Sequence, residues 1–192
     1  TGAKELTADD DDAFVTRLEP NGTQTWFKTF VGDSLDYFQS AAETSDGGVA
    51  CSGGTASYSN VKQILLVKVD ANGDSLWQEE FGSMGDSEGS EIMVNLNGDF
   101  AIASYNSYAN AGGKDMVLFI ASSNGTFLLG KNYGGLGDEV GASLVVLADG
   151  GYVVAGTADD YGPGIRSIYV VRTDQYGETS DDTVYEVFDD TG

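Results

Sequence analysis

The sequence contains no histidine. Its absence removes the usual general base at neutral pH, the nucleophile triads built on it, and most transition-metal sites. A single cysteine, Cys51, rules out a disulfide within the chain, and its setting in Val49-Ala50-Cys51-Ser52 predicts a buried, inert thiol. No apolar run approaches the length needed to cross a bilayer. Basic residues are scarce, nine Lys and Arg against 31 Asp and Glu, for a net charge of −22. Nucleic acid and anionic membrane surfaces both demand a basic footprint that such a chain does not carry. Acidity of this degree suits solubility in a salty or exposed setting and attraction to cations and basic partners. The chain starts at Thr1 with neither initiator Met nor signal peptide, and is expected to be a mature or processed piece.

With only two prolines and 41% apolar residues, the chain lacks the signature of disorder, so its 27 glycines are expected to punctuate turns. Their placement is periodic. Asn21-Gly22, Asn72-Gly73, Asn124-Gly125 and Tyr176-Gly177 recur at intervals of 51, 52 and 52 residues. Four residues after the first three glycines stand Trp26, Trp77 and Leu129, and eight after stand Phe30, Phe81 and Tyr133. Twenty-five after come Gly47, Gly98 and Gly150, in Asp46-Gly47-Gly48, Asn97-Gly98-Asp99 and Asp149-Gly150-Gly151. A fixed period of this size marks a repeat architecture.

Each unit holds four short runs rich in β-branched and aromatic residues, here called a to d. In the last units, d is 127–133, a is 142–147, b is 152–157 and c is 168–173. Runs a and b are joined by Asp-Gly-Gly or Asn-Gly-Asp and runs c and d mostly by Asn-Gly, residues that accept the positive φ of tight hairpins. Run c is almost continuously apolar, as in Ile64-Leu65-Leu66-Val67 and Met116-Val117-Leu118-Phe119-Ile120, which predicts cover on both faces. Sheets buried on both sides need neighbours on both sides. The predicted fold is therefore all-β, with four-stranded antiparallel β-propeller blades packed face to face, and the Trp and Phe of run d wedged between them. A β-sandwich would not require so regular a repeat. The units fall at approximately 1–38, 39–89, 90–141 and 142–192 of a single partial propeller. A leading c–d pair and three full units make about three and a half blades.

The segments Leu66-Val67-Lys68-Val69-Asp70-Ala71-Asn72-Gly73-Asp74-Ser75-Leu76-Trp77 and Asp149-Gly150-Gly151-Tyr152-Val153-Val154-Ala155-Gly156-Thr157 resemble the Asp-Gly-Gly-Tyr type propeller repeats of secreted and cell-surface proteins of Bacteroidetes-like bacteria. The likeness runs over nearly the whole chain. It implies a display module in a larger exported protein, often delivered by type IX secretion, at an extracellular or outer-surface location. The c–d hairpin is also similar to the repeat of quinoprotein dehydrogenase propellers, with Asp, Gly and Trp in the same order and one residue fewer between Asp and Gly.

Candidate chemistry is sparse. Asp70-Ala71-Asn72-Gly73-Asp74 has the alternating oxygens with which a calcium loop begins, but no distal acidic ligand. Its counterparts at Glu19-Pro20-Asn21-Gly22-Thr23 and Ser122-Ser123-Asn124-Gly125-Thr126 drop the second carboxylate, so a hairpin turn is the expectation and no cofactor is assigned. Asp9-Asp10-Asp11-Asp12 is read as a solvated b–c loop, because consecutive carboxylates repel. No carboxylate pair stands out as an acid and base. What remains is recognition by the long b–c loops at 56–63, 106–115 and 158–167, on the rim opposite the tight turns. They carry Tyr58, Asn60, Tyr108, Asn110 and Tyr161, suited to adaptable contacts with a protein or glycan, unless the tyrosines merely cap the core. The expected function is thus non-catalytic binding or scaffolding, with the rest of the propeller coming from the same gene product or a second chain. The alternative is a piece of a polysaccharide-active or quinoprotein-like propeller enzyme whose catalytic blades lie elsewhere.

Overall fold

The computed structural model describes residues 2–7, 10–30, 32–82, 85–107, 113–159, 161 and 166–180. These form fourteen strands: β1 (Gly2–Thr7), β2 (Asp10–Leu18), β3 (Gln24–Phe30), β4 (Asp36–Glu43), β5 (Val49–Thr55), β6 (Gln63–Val69), β7 (Ser75–Phe81), β8 (Ser87–Val94), β9 (Phe100–Asn106), β10 (Asp115–Ala121), β11 (Phe127–Tyr133), β12 (Glu139–Val146), β13 (Tyr152–Ala158) and β14 (Ser167–Thr173). There is no helix among the described residues. The strands make four antiparallel meanders in chain order: β1-β2-β3, β4-β5-β6-β7, β8-β9-β10-β11 and β12-β13-β14. Among the described residues, seven tight turns each place a glycine at positive φ: Gly22, Gly47, Gly73, Gly98, Gly125, Gly150 and Gly177. The glycine-marked interval is therefore the interval of the sheets.

Three boundaries differ from the sequence expectation. The first sheet has three strands instead of a c–d pair, because Gly2–Thr7 pairs antiparallel with β2. That pairing also overturns the loop at the aspartate run: Thr7, Glu5 and Lys4 stand opposite Asp10, Asp11 and Asp12, so these aspartates are strand, and Asp12 is fully buried. Run a begins three residues earlier than read, at Asp36, Ser87 and Glu139, since the strand continues past a bulge that recurs at Phe38/Ser40, Gly89/Glu91 and Gly141/Ser143. The expected last run d falls at 181–192, outside the described residues.

Three hydrophobic cores fill the spaces between consecutive sheets. Val15 meets Leu65 and Val67 between the first and second, Leu66 meets Ile102 and Phe119 between the second and third, and Leu118 meets Val154 and Val171 between the third and fourth. Each such fully buried side chain contributes roughly 1.5–3 kcal/mol. The opening strands carry the joints: β4 packs on β2 and β8, and β8 and β9 pack on β12. Two-sided burial of run c holds for β6 and β10. It fails for β14, where Tyr169 and Val171 are buried but Ile168 is 63% exposed, because no described sheet covers that face.

The landmarks of run d meet the next sheet as expected. Trp26, Trp77 and Leu129 lie against Gly73, Gly125 and Gly177 of the following turn, and Phe30 and Phe81 contact Phe38 and Phe119 at 5.5 and 4.7 Å between ring centroids. Salt bridges Lys28–Asp74 (2.8 Å) and Lys131–Glu178 (2.6 Å) flank two of these joints.

Candidate functional site

In these antiparallel meanders the strand ends that the longer connections join lie opposite the glycine turns. The loop residues chosen from sequence separate there. Tyr58 is half exposed, and its Oη accepts a hydrogen bond from Gln78 Nε2 at 3.0 Å. Asn60 beside it is exposed. Tyr161 is different: its ring stacks on Tyr169 at 5.1 Å and packs on the core between the third and fourth sheets, as a cap would. Tyr108 and Asn110 lie outside the described residues. Among the described loop residues, Tyr58 and Asn60 lie exposed on their own loop, while Tyr161 packs against the core.

It does gather a cluster that the sequence reading missed. Glu88, in the second position of β8, accepts hydrogen bonds from Tyr105 Oη (3.2 Å), Lys62 Nζ (3.1 Å) and Gln39 Nε2. Lys62 Nζ also stands 5.3 Å from the centroid of the Tyr37 ring, and Lys114 Nζ 4.1 Å from that of Tyr105. Two of the nine basic residues thus converge on one carboxylate and two phenols where β4 and β8 begin. Burial, reinforced by Glu88, raises the Tyr37 phenol well above its ordinary range and pushes Tyr105 up to about 12. Both remain hydrogen-bond donors at neutral pH. The signal was weak because the six side chains come from strands and loops of two sheets, and none belongs to a motif.

A second polar set lines the joints between sheets. Asp12, Gln63, Asp115 and Ser167 share one repeat position, and Asp36, Ser87 and Glu139 another. Asp36 accepts from Ser57 Oγ at 2.9 Å, and Glu139 Oε2 from the Gly135 amide at 2.7 Å. A Cβ on Gly134 would lie 2.3 Å from Asp115 Oδ1 and 2.4 Å from Glu139 Oε2, so glycine is the residue that fits between these carboxyl groups.

The calcium-loop likeness at Asp70 has a different explanation. Asp70 Oδ1 accepts the amides of Asn72 (2.8 Å) and Asp74 (2.9 Å), as Asn95 and Asp174 do in their own turns. These bonds, the Asp74 amide first, hold the Asp70 carboxyl below its usual range. No protein-family model and no curated protein matches the chain. The rim therefore has to be interpreted from its own chemistry.

Proposed function

We propose that the four sheets are propeller blades of the Asp-Gly-Gly-Tyr repeat type, and that the array works as a non-catalytic binding or scaffold module. In this reading it belongs to a larger secreted protein and acts outside the cell or on its outer surface. The observation that carries it is one inter-sheet joint made three times, with a d-strand Trp or Leu seated on the next turn glycine. Opening strands that pack closely on neighbouring sheets, with the closing strands reaching across through large side chains such as Trp26, Phe30, Trp77 and Phe81, are what blades around an axis require. The exposed face of β14 suits a further blade, from the same gene product or a second chain.

Recognition falls on the long-loop rim. Tyr58 and Asn60 supply exposed, adaptable contacts, and the Glu88 cluster supplies fixed donors and aromatic edges. The net charge of −22 favours a basic protein surface or a neutral glycan over an anionic partner. The test is binding to a glycan array and to purified surface proteins of the source cell, comparing the native chain with Tyr58→Ala and Glu88→Gln. Weakened binding in either variant supports the rim as the contact surface. Unchanged binding in both removes it.

A further inference from the structure

On the glycine-turn rim, the joint between the third and fourth sheets departs from the repeat at three positions. Leu129 stands where the other joints carry Trp26 and Trp77, and Ile120 on β10 stands where β2, β6 and β14 carry Arg17, Lys68 and Arg172. Tyr176 replaces the asparagine of the other three turns, Asn21, Asn72 and Asn124. In the first joint Trp26 Nε1 and Arg17 Nη1 both donate to the Ala71 carbonyl, at 3.1 and 3.3 Å. Leu129 and Ile120 have no proton to donate, and the place of Ala71 is taken by Gln175. A cleft of about 490 Å³ opens here, lined by all four of these residues and within the range of small-ligand sites. The first joint has a cleft of about 380 Å³ in the corresponding place, with Arg17 and Trp26 on its wall.

The polar groups on the lining fall into two sets. Asn95 and Asp149 are committed to the fold. Asn95 Oδ1 accepts the amides of Asn97 and Asp99 at 2.9 and 3.0 Å, and its Nδ2 donates across the joint to Tyr152 Oη at 3.1 Å. Asp149 accepts the Gly151 amide at 3.0 Å and pairs with Arg172 at 2.9 Å, which offsets its charge. The side chains of Asn97, Asp99, Gln175 and Tyr176 line the same cleft and make no hydrogen bond among the described residues. Leu96 and Leu128 add exposed aliphatic surface, and the Tyr176 residue is 64% exposed. No Lys or Arg lines the cleft among the described residues.

We infer that this cleft binds a neutral pyranose ring, as one unit of a glycan. Such a ring has a C–H face and an edge of hydroxyls, each both donor and acceptor. The face lies on the Tyr176 ring with Leu96 and Leu128 alongside, and the hydroxyls meet the Asn97 and Gln175 amides, the Tyr176 phenol and the Asp99 carboxylate. The lining selects this occupant against the other classes. An anion would find no cation and would face the open Asp99 carboxylate. A cation would leave the donors of Asn97, Gln175 and Tyr176 unused, and a wholly apolar ligand would bury these groups unpaired. The site is on the rim opposite the long loops, so it stands whether or not those loops bind a partner.

The test is titration of the full chain with the methyl glycosides of glucose, galactose, mannose and xylose, followed by amide and aromatic NMR shifts. The methyl uronates of the same sugars and Nα-acetyl-lysine amide serve as comparators. Saturable shifts are expected with at least one neutral glycoside, at Leu96, Gln175 and Tyr176 and not at Tyr58 or Glu88. The uronate of matching configuration is expected to bind about tenfold more weakly, since its carboxylate meets Asp99. Tyr176→Asn and Leu129→Trp each restore the residue that the other repeats carry, the first removing the aromatic face and the second narrowing the cleft. Each is expected to weaken binding about tenfold. Should Leu129→Trp fail to fold, Gln175→Ala, at an exposed position, is expected to weaken binding about tenfold in its place. Absence of saturation with every neutral glycoside, equal or tighter binding of a uronate or of the lysine amide, shifts centred on Tyr58, or full affinity in the folded variants would each overturn the assignment.

Discussion

Trp26 of β3 lies against Gly73 in the turn between β6 and β7: a Cβ on Gly73 would stand 2.7 Å from the indole ring, whose N–H donates to the Ala71 carbonyl at 3.1 Å. The two residues come from different repeat units, and each is a landmark of its own unit. The same contact joins Trp77 to Gly125 and Leu129 to Gly177, where Tyr133 Oη donates to the Gly177 carbonyl at 2.7 Å. Glycine at this position thus serves both the turn and the joint. Its φ of 81° is one that L side chains rarely adopt, and the space beside it belongs to the neighbouring sheet.

That double role separates two turn glycines in a stability measurement. Gly22 has a φ of 85°, but nothing lies within 4 Å of the place a methyl group would take, so Gly22→Ala should cost about 1–2 kcal/mol from backbone strain alone. Gly73→Ala adds a collision with the Trp26 ring and should cost about 2–4 kcal/mol. Urea unfolding followed by fluorescence reads both. Equal losses would mean that the indole does not bear on the turn.

A buried ammonium supplies a pH-dependent prediction. Lys68 Nζ, only 5% exposed, donates to Asp46 Oδ1 (3.1 Å) and the Val69 carbonyl (2.9 Å). Hydrogen bonds from Thr44, the Gly48 amide and Lys68 hold the Asp46 carboxyl below the usual carboxylate range. A depressed folded-state pKa contributes stability above the unfolded value, about 3.9, and loses it as pH falls through the folded value. Asp46→Asn should therefore lower the urea midpoint at pH 7, with the difference from the native chain closing as the medium is acidified below about pH 4. A gap that stays constant across that window would contradict the pairing.

Cys51 is fully buried, and burial pushes its thiol up to about 12. A raised pKa means that the folded state disfavours the thiolate, so the associated stability is complete below the unfolded value of about 8.5 and declines as pH rises toward 12. Labelling by a thiol reagent at pH 8 should be negligible in buffer and complete in denaturant. Rapid labelling of the folded chain would contradict its burial.

The two described loop tyrosines should part company on substitution. Tyr161→Ala removes a stacked pair with Tyr169 and should cost about 1 kcal/mol in urea unfolding. Tyr58→Ala should change stability by less than about 0.5 kcal/mol, since the ring is half exposed. The reverse order would assign the capping role to Tyr58.

The sequence made the sheets legible because each turn needs glycine at one position and each joint needs a large side chain four residues later. Trp26, Trp77 and the turn glycines satisfy both needs at one spacing. The first strand was not legible: Gly2–Thr7 carries little hydrophobic alternation, and Asp10 to Asp12 look like a solvated run until pairing with β1 draws them into a sheet. Glu88 gave no sign of its role, because Tyr105 reaches it only through the β8–β9 register and Gln39 and Lys62 only through packing of the second sheet on the third.

The central claim, that successive glycine-marked sheets stack through one repeated joint, is tested most directly by nuclear Overhauser contacts at the middle seam. Trp77 ring protons should show strong cross-peaks to the Gly125 α protons and to the Phe100 ring, whose centroid lies 5.9 Å away. Trp26 should show the same pattern with Gly73. Indole protons that contact only their own sheet, with no cross-peaks to the following turn, would contradict the stacked arrangement.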